Sequence, residues 1–370
     1  MMSRQAVGFI GPSVEQIGGT GNHPAALAPG AGSSEEGGGW VRKRRMLDAA
    51  IVGMGRWGQV LVDSVQGRNG AGLRFVAGCT GTPEKARAYA AGKGIRLLDS
   101  YAAVLADPAV RAVVLATPHA QHAEQIIAAA KAGKHVFVEK PFTLSKASAE
   151  AAVAAARAAG VVLALGHNRR FLPAIAEMKR MLAAGQLGTL LHVEGQFSGP
   201  GGFAYQPGAW RADRAESPLG GMGGMGIHMV DMIIHLAGRF ATVQVISERR
   251  VLPSIDDTTA MLARLASGAT CTFATLATAP RYWRVALFGT DGLLELRGHE
   301  QLFFRPREGE EWVRDFEPVD IERAELDAFA AAVAGGPAYP LPWDEAIHGV
   351  AVFETMIQAA EARSTYAVPA

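Results

Sequence analysis

The stretch Val52-Gly53-Met54-Gly55-Arg56-Trp57-Gly58 constrains this chain most. It follows Leu47-Asp48-Ala49-Ala50-Ile51-Val52, an apolar run of strand length, and precedes Gln59 to Val65, whose apolar residues fall at helical spacing. The glycines fit G-x-G-x-x-G. The first permits a tight turn, the second lets the backbone approach a pyrophosphate, and the third lets helix pack closely on strand. The helix N-terminus then offers unpaired N–H groups and a partial positive charge to phosphates. Glycines also mark ordinary turns. Here the strand before and the helix after favour a dinucleotide site over a plain turn.

A chain of 370 residues suggests two domains of ordinary size. Hydrophobic residues make up 49%, enough for substantial cores. The formal net charge of +1 gives no reason to expect nucleic-acid or membrane binding, and no apolar run approaches the roughly 20 residues of a membrane span. Cys79 and Cys271 are too few for a disulfide framework, which makes a reducing cytoplasm the simplest location. Residues 1–45 stand apart: Gly, Pro, Ser and Ala dominate, and no apolar face could offset the entropy of ordering. They read as a disordered extension or a start assigned too early, with the basic run Arg42-Lys43-Arg44-Arg45 at its end.

Strands are expected at Leu73 to Thr80, Ile95 to Leu98, Val110 to Thr117, His135 to Val138 and Val161 to Leu165. Helices open near Pro83, run from about Gln121 to Ala132, and from about Ser145 to Ala159. Such alternation predicts a doubly wound parallel sheet over residues 46–166, with ligands beyond its C-terminal strand ends. After Gly166 the pattern changes. A helix from Pro173 to Ala184 leads into strand-like runs at 190–197, 243–247, 258–265, 270–276, 283–288, 293–296 and 301–304, then helices at 321–334 and 343–362. Residues 167–370 are therefore expected to form an α+β domain with an open, mostly antiparallel sheet.

Four signatures in this order resemble the Gfo/Idh/MocA oxidoreductases from about Met46 onward. They are the glycine motif; Ala116-Thr117-Pro118-His119-Ala120-Gln121-His122; Glu139-Lys140-Pro141; and Trp210-Arg211 followed by Gly220-Gly221 and Gly226-Ile227-His228-Met229-Val230-Asp231. The resemblance implies a nicotinamide-dependent enzyme acting on sugars, polyols and related hydroxyl compounds, whose second-domain sheet carries substrate contacts and joins copies into a homodimer or homotetramer. Two positions depart from the family pattern. Thr80 stands where an acid often holds the cofactor ribose, so NADP is slightly favoured over NAD. Gly224 stands where many members carry an aspartate four residues before His228, leaving the usual proton relay incomplete.

Lys140 follows a buried strand; burial beside a cationic nicotinamide would lower its pKa and let it bind the substrate hydroxyl or exchange its proton. The bland alternative is a surface lysine paired with Glu139. Glu139 orients the turn or contacts the cofactor ribose. His228, near a helix start, could pass a proton at neutral pH or serve only as a helix-start hydrogen bonder. Asp231 and His235 share its spacing; that could suggest a metal, but no metal is expected and Asp231 reads as structural. The cofactor is expected to meet Gly53, Met54, Gly55, Arg56, Trp57, Gly58, Thr80, Thr117, Pro118, His122, Glu139 and Lys140; the substrate to meet Lys140, Trp210, Arg211 and His228. His122 also reads as the start of a helix. His167-Asn168-Arg169-Arg170-Phe171 could reach the substrate, though spacing does not say which side chain does. Tyr282 and Trp283 read as sheet packing. The chain reads as an NAD(P)-dependent dehydrogenase or reductase in which Lys140 and His228 handle the hydroxyl proton and polarise the carbonyl oxygen, with Lys140 carrying more of the proton work and Gly224 leaving room for a bulkier substrate. A lyase or decarboxylase with retained cofactor, and a catalytically silent nucleotide-binding protein, are the rivals.

Overall fold

The computed structural model describes residues 46–206 and 208–370. The expectations for residues 1–45 lie outside the described residues. Chain order begins β1 (Leu47–Val52), α1 (Arg56–Val65), β2 (Leu73–Cys79), α2 (Pro83–Gly92), β3 (Arg96–Leu97), α3 (Tyr101–Ala106), β4 (Ala112–Leu115), α4 (His122–Lys131), β5 (His135–Val138), α5 (Lys146–Ala158) and β6 (Leu163–Leu165). The six strands pair in the order β3-β2-β1-β4-β5-β6, all parallel. That is the doubly wound dinucleotide-binding order, with its crevice at the C-terminal ends of β1 and β4. Alternate residues feed two apolar layers. Val52, Val113, Leu115, Val136 and Val138 pack against α4 and α5; Ile51, Phe75, Val114 and Phe137 pack against α1 and α2. Ser100 and Ser145 cap α3 and α5 by accepting from the N–H of Ala103 and Ser148.

The second half continues with α6 (Pro173–Ala183), β7 (Leu190–Ser198), α7 (Ile227–Ala237), β8 (Phe240–Glu248), β9 (Thr258–Leu265), β10 (Thr270–Leu276), β11 (Tyr282–Gly289), β12 (Gly292–Arg297), β13 (Gln301–Pro306), β14 (Trp312–Asp315), α8 (Ile321–Val333), α9 (Trp343–Ala362) and β15 (Tyr366–Ala367). Nine strands form one sheet, β14-β13-β12-β11-β7-β10-β9-β8-β15. Among the described residues of this sheet only β7 and β10 pair in parallel, so the mostly antiparallel expectation holds. One face packs on α6, α7 and α9 through Val193, Met229, Ile233, Phe273 and Phe353. Alternate residues on the other face, Ile246, Leu262 and Tyr282 among them, are exposed. Tyr282 is thus not sheet packing as expected, whereas Trp283, one residue on, is buried.

The short α3, β14 and β15 escape periodicity because each spans too few residues to show a period. A π turn, Met222–Gly226, also escapes it; its glycines let the backbone widen just before α7 begins. The last helices return to the first sheet. Leu326 and Phe329 of α8 join the layer around Phe137, and Val350 of α9 joins the layer around Val138. Among the described residues no helix is long and apolar enough to cross a membrane.

Candidate active site

The glycine motif forms a cradle between β1 and α1. Gly53 turns at φ 92°, and a Cβ there would lie 2.5 Å from the Ala116 carbonyl oxygen. At Gly58 a Cβ would lie 2.0 Å from the Gly53 oxygen, so only glycine lets the helix come this close. At Gly55 a Cβ would meet nothing within 4 Å. Gly55 caps α1 without a side-chain hydrogen bond, leaving the first N–H groups of the helix to a ligand. The cradle fits a pyrophosphate. Met54 offers only its backbone, because its side chain is buried and its sulfur lies close under Gly78. Arg56 is exposed at the helix start, and Trp57 is half-buried against the core. Thr80, half-buried, follows β2 directly.

Because β4 and β5 are parallel neighbours, the Thr117-Pro118 and Glu139-Lys140-Pro141 segments leave the sheet side by side. His122 ties them together. Its Nδ1 lies 2.9 Å from the Pro141 carbonyl and its Nε2 3.1 Å from the Thr117 carbonyl. The ring is fully buried with both nitrogens engaged, so the expected cofactor contact is corrected to a clamp between two site loops. Thr117 turns its hydroxyl to Gln125, donating at 2.6 Å, which leaves its backbone to line the crevice.

Lys140 extends across the crevice and donates from Nζ to the Gly224 carbonyl at 2.9 Å. A backbone oxygen of the π turn thus holds the amine. Burial lowers the Lys140 pKa to about 8; Glu139 opposes this, and Arg169 and Arg211 add to it. The surface-lysine alternative is set aside: the side chain is only partly exposed and its amine is engaged across the cleft. Glu139 is buried, with Oε2 accepting from the Lys140 N–H at 3.3 Å and Oε1 directed at Gly166, where a Cβ would come within 3.0 Å of it.

His228 is the second residue of α7 and is buried. Arg169 Nη1 donates to its Nε2 at 3.0 Å and to Asn168 Oδ1 at 2.8 Å. Accepting at Nε2 puts the ring hydrogen on Nδ1. Burial, then Arg169 and Lys140, hold His228 well below the usual histidine range, so the ring is neutral at pH 7. The Arg169 guanidinium also stacks 4.9 Å over Phe197. From the His167 to Phe171 run, Arg169 reaches the site through His228, and the His167 ring packs edge-on against His228 at 5.7 Å. Asn168 is held in turn by donating to Glu322 Oε1 of α8 at 3.0 Å.

Asp231 is structural. Arg170 donates to both of its oxygens, at 2.7 to 3.1 Å. Burial pushes the carboxyl up, but His167 and Arg170 more than reverse this. His235 Nδ1 turns to Lys179 Nζ at 3.2 Å, so the helical spacing with His228 does not converge on a point. Among the described residues no cluster of His, Cys, Asp or Glu is arranged to hold a metal. Trp210 and Arg211 begin a short turn, Trp210–Ala212. The Trp210 side chain lies outside the described residues; Arg211 is exposed at the rim, within electrostatic reach of Tyr205 and Arg56. Tyr205, which the sequence did not single out, brings its hydroxyl within 3.8 Å of where a Gly224 Cβ would stand. His119 and Glu216 fasten this segment to the first domain, His119 Nδ1 lying 2.9 Å from the Glu216 carbonyl.

A doubly wound sheet with a pyrophosphate cradle and a lysine at a neighbouring strand end, followed by a mixed second sheet, defines a dinucleotide-binding fold. Residues 47–167 match the family model described as oxidoreductase family, NAD-binding Rossmann fold, and residues 175–295 match the C-terminal domain model of the same family. The chain belongs to the Gfo/Idh/MocA family of NAD(P)-dependent oxidoreductases. It is 38% identical over 154 residues to scyllo-inositol 2-dehydrogenase (NAD(+)) of Bacillus subtilis strain 168, covering 40% of this chain and 43% of that protein. It is 30% identical over 155 residues to scyllo-inositol 2-dehydrogenase (NADP(+)) of the same organism, covering 40% and 42%. The chain thus matches less than half the length of these curated relatives. A solved levoglucosan dehydrogenase, in complex with NADH and L-sorbose, shares the fold with a TM-score of 0.79 at 22% identity, over 87% of this chain and 99% of that one.

Proposed function

We propose that this protein is a dehydrogenase or reductase acting at a hydroxyl or carbonyl carbon of a sugar, polyol or cyclic diol-like molecule. The observation that carries this is Lys140: a partly buried amine of lowered pKa at the end of β5, held by the Gly224 carbonyl and within electrostatic reach of Arg169, which binds His228. Bound nicotinamide supplies hydride exchange with the substrate carbon. The chain's own residues handle the oxygen. Neutral Lys140 takes the hydroxyl proton during oxidation, and its ammonium returns one during reduction. Arg169 stays charged and polarises the oxygen, while His228 holds Arg169 in place. Gly224 leaves space opposite Tyr205 for substrate bulk.

Thr80 supports tolerance of NADP with a slight preference for it, since no carboxylate follows β2 to repel a 2′-phosphate. Relatives named for each cofactor leave both within the family. Two buried free cysteines fit a reducing cytoplasm. The exposed face of the large sheet supports a homodimer or homotetramer. The test is near-ultraviolet absorbance of the reduced cofactor over a panel of inositols, anhydrosugars and aldoses, with dissociation constants for NADH and NADPH. Turnover on one of these with absorbance change is expected. Conversion of substrate with no change in absorbance would move the reaction to the lyase class, and a strong NADH preference would reverse the cofactor assignment.

A further inference from the structure

Behind Lys140 lies a second carboxyl that the reaction scheme leaves unused. Glu325 of α8 is fully buried, and neither of its oxygens has a hydrogen-bond partner. It stands one turn after Glu322, whose Oε1 holds Asn168, so α8 directs both glutamates at the turn that carries Arg169. The Glu139 carboxyl is also buried, with the Lys140 N–H and the Trp57 indole as its donors, and it lies within electrostatic reach of Glu325. Two ionised carboxylates buried within reach of each other, one with no donor on either oxygen, would cost several kcal/mol. A proton removes that cost: a protonated carboxyl gains a donor, and its neighbour supplies an acceptor.

The surroundings fix which charges matter. Glu139 and Lys140 come from the end of β5, Arg169 from the turn after β6, Glu322 from α8 itself, and Tyr339 from the segment before α9. Tyr339 donates its hydroxyl to the Leu165 carbonyl at 3.0 Å and is not available to Glu325. Arg169 spends Nη1 on Asn168 and His228. Burial first, then Glu139 and Glu322, raise Glu325 well above the usual carboxylate range, against the pull of Arg169 and Lys140. Burial raises Glu139 as well, with Lys140 opposing.

We propose that Glu325 and Glu139 share one proton behind Lys140, and that Glu325 is a positioning residue that keeps a single negative charge, not two, beside the lysine amine. The shared proton fixes both side chains and leaves Lys140 free to alternate between amine and ammonium. A second fixed charge would instead trap it as ammonium. The proposal rests on the role given to Lys140 above. Its infrared test does not.

The test uses the full chain. In the protein without added cofactor, infrared spectra at pH 7 are expected to contain the carbonyl stretch of a protonated carboxylic acid, shifted in deuterium oxide and absent from Glu325→Gln. No such band, or a band that persists in Glu325→Gln, overturns the shared proton. In turnover, Glu325→Ala is expected to lower kcat at least about tenfold, with the cofactor KM unchanged. Glu325→Gln, a neutral donor of the same shape, is expected to recover most of that loss and to leave the Lys140 limb of the pH profile in place. A limb in Glu325→Gln displaced downward by about a unit would mean that an anion had been removed, and full activity in Glu325→Ala would end the positioning role. If Lys140→Ala keeps normal turnover while the band stands and depends on Glu325, the proposed reaction fails and the shared proton survives.

Discussion

At the scale of single residues, the site turns on how Lys140 and His228 divide the work. Lys140 is titratable near neutrality because burial brings it to about 8. The sign follows directly. Oxidation needs the neutral amine, so its rate is expected to rise as pH climbs through about 8; reduction needs the ammonium and is expected to fall over the same range. Lys140→Ala should lower kcat at least about a hundredfold, the scale of general acid–base effects, with cofactor dissociation constants nearly unchanged. Near-normal turnover would remove Lys140 from the mechanism. His228 is neutral and its Nε2 is occupied by Arg169. His228→Ala should therefore cost less than Lys140→Ala, and the opposite order would reverse their roles. Gly224→Asp tests the substitution of a backbone carbonyl for a carboxylate. A new anion beside the amine favours ammonium, so the limb should move to higher pH with no gain in turnover at pH 7. A clear gain there would mark the glycine as a simple defect.

At the scale of elements, α8 links stability to chemistry. Its apolar side joins the first sheet through Leu326 and Phe329, with the Phe329 ring 5.9 Å from that of Phe137. Its polar side carries Glu322 and Glu325 to the site. Phe329→Ala should cost about 3–5 kcal/mol in urea unfolding, the usual range for emptying a buried phenylalanine. It should also move the Lys140 limb, since Glu325 is fixed by the same helix. A large loss of stability with an unmoved limb would show that α8 only packs. The π turn before α7 has the complementary part. Its glycine-rich backbone presents the Gly224 oxygen to Lys140, a contact that side-chain periodicity does not encode.

At the scale of the whole molecule, the large sheet has one packed face and one open face. Ile246 and Leu262 are 65% and 53% exposed at outward positions of β8 and β9. Across β10, an ionic ladder joins β7, β11 and β12, Arg284 donating to Glu194 at 2.7 Å and to Glu295 at 2.5 Å. Adjoining apolar residues with ordered charges elsewhere on the same sheet suit a self-complementary interface. Ile246→Arg together with Leu262→Arg should reduce the mass measured by light scattering to that of one chain, without lowering the melting temperature of that chain. A wild-type mass already equal to one chain would refute assembly through this face.

The sequence by itself determined the glycine cradle, the alternation that builds the parallel sheet, most strands of the second sheet, and Lys140 at a strand end. These are local properties. Turn geometry, helix start and hydrophobic period are written within a few residues of one another, so a linear reading recovers them. Tertiary structure alone decided that His122 clamps two loops and that Arg169 sits on His228. It also decided that Tyr205 faces Gly224 and that Glu325 is buried with neither oxygen partnered. The physical reason is that a buried polar group takes its role from its partners, and these come from far along the chain: Arg169 and His228 are 59 positions apart, Asn168 and Glu322 154. One hint was legible: Glu322 and Glu325 fall three apart on a helix otherwise anchored by Ile321, Leu326 and Phe329. Whether such a pair faces water or the interior depends on which surface the helix docks against, and packing alone supplies that.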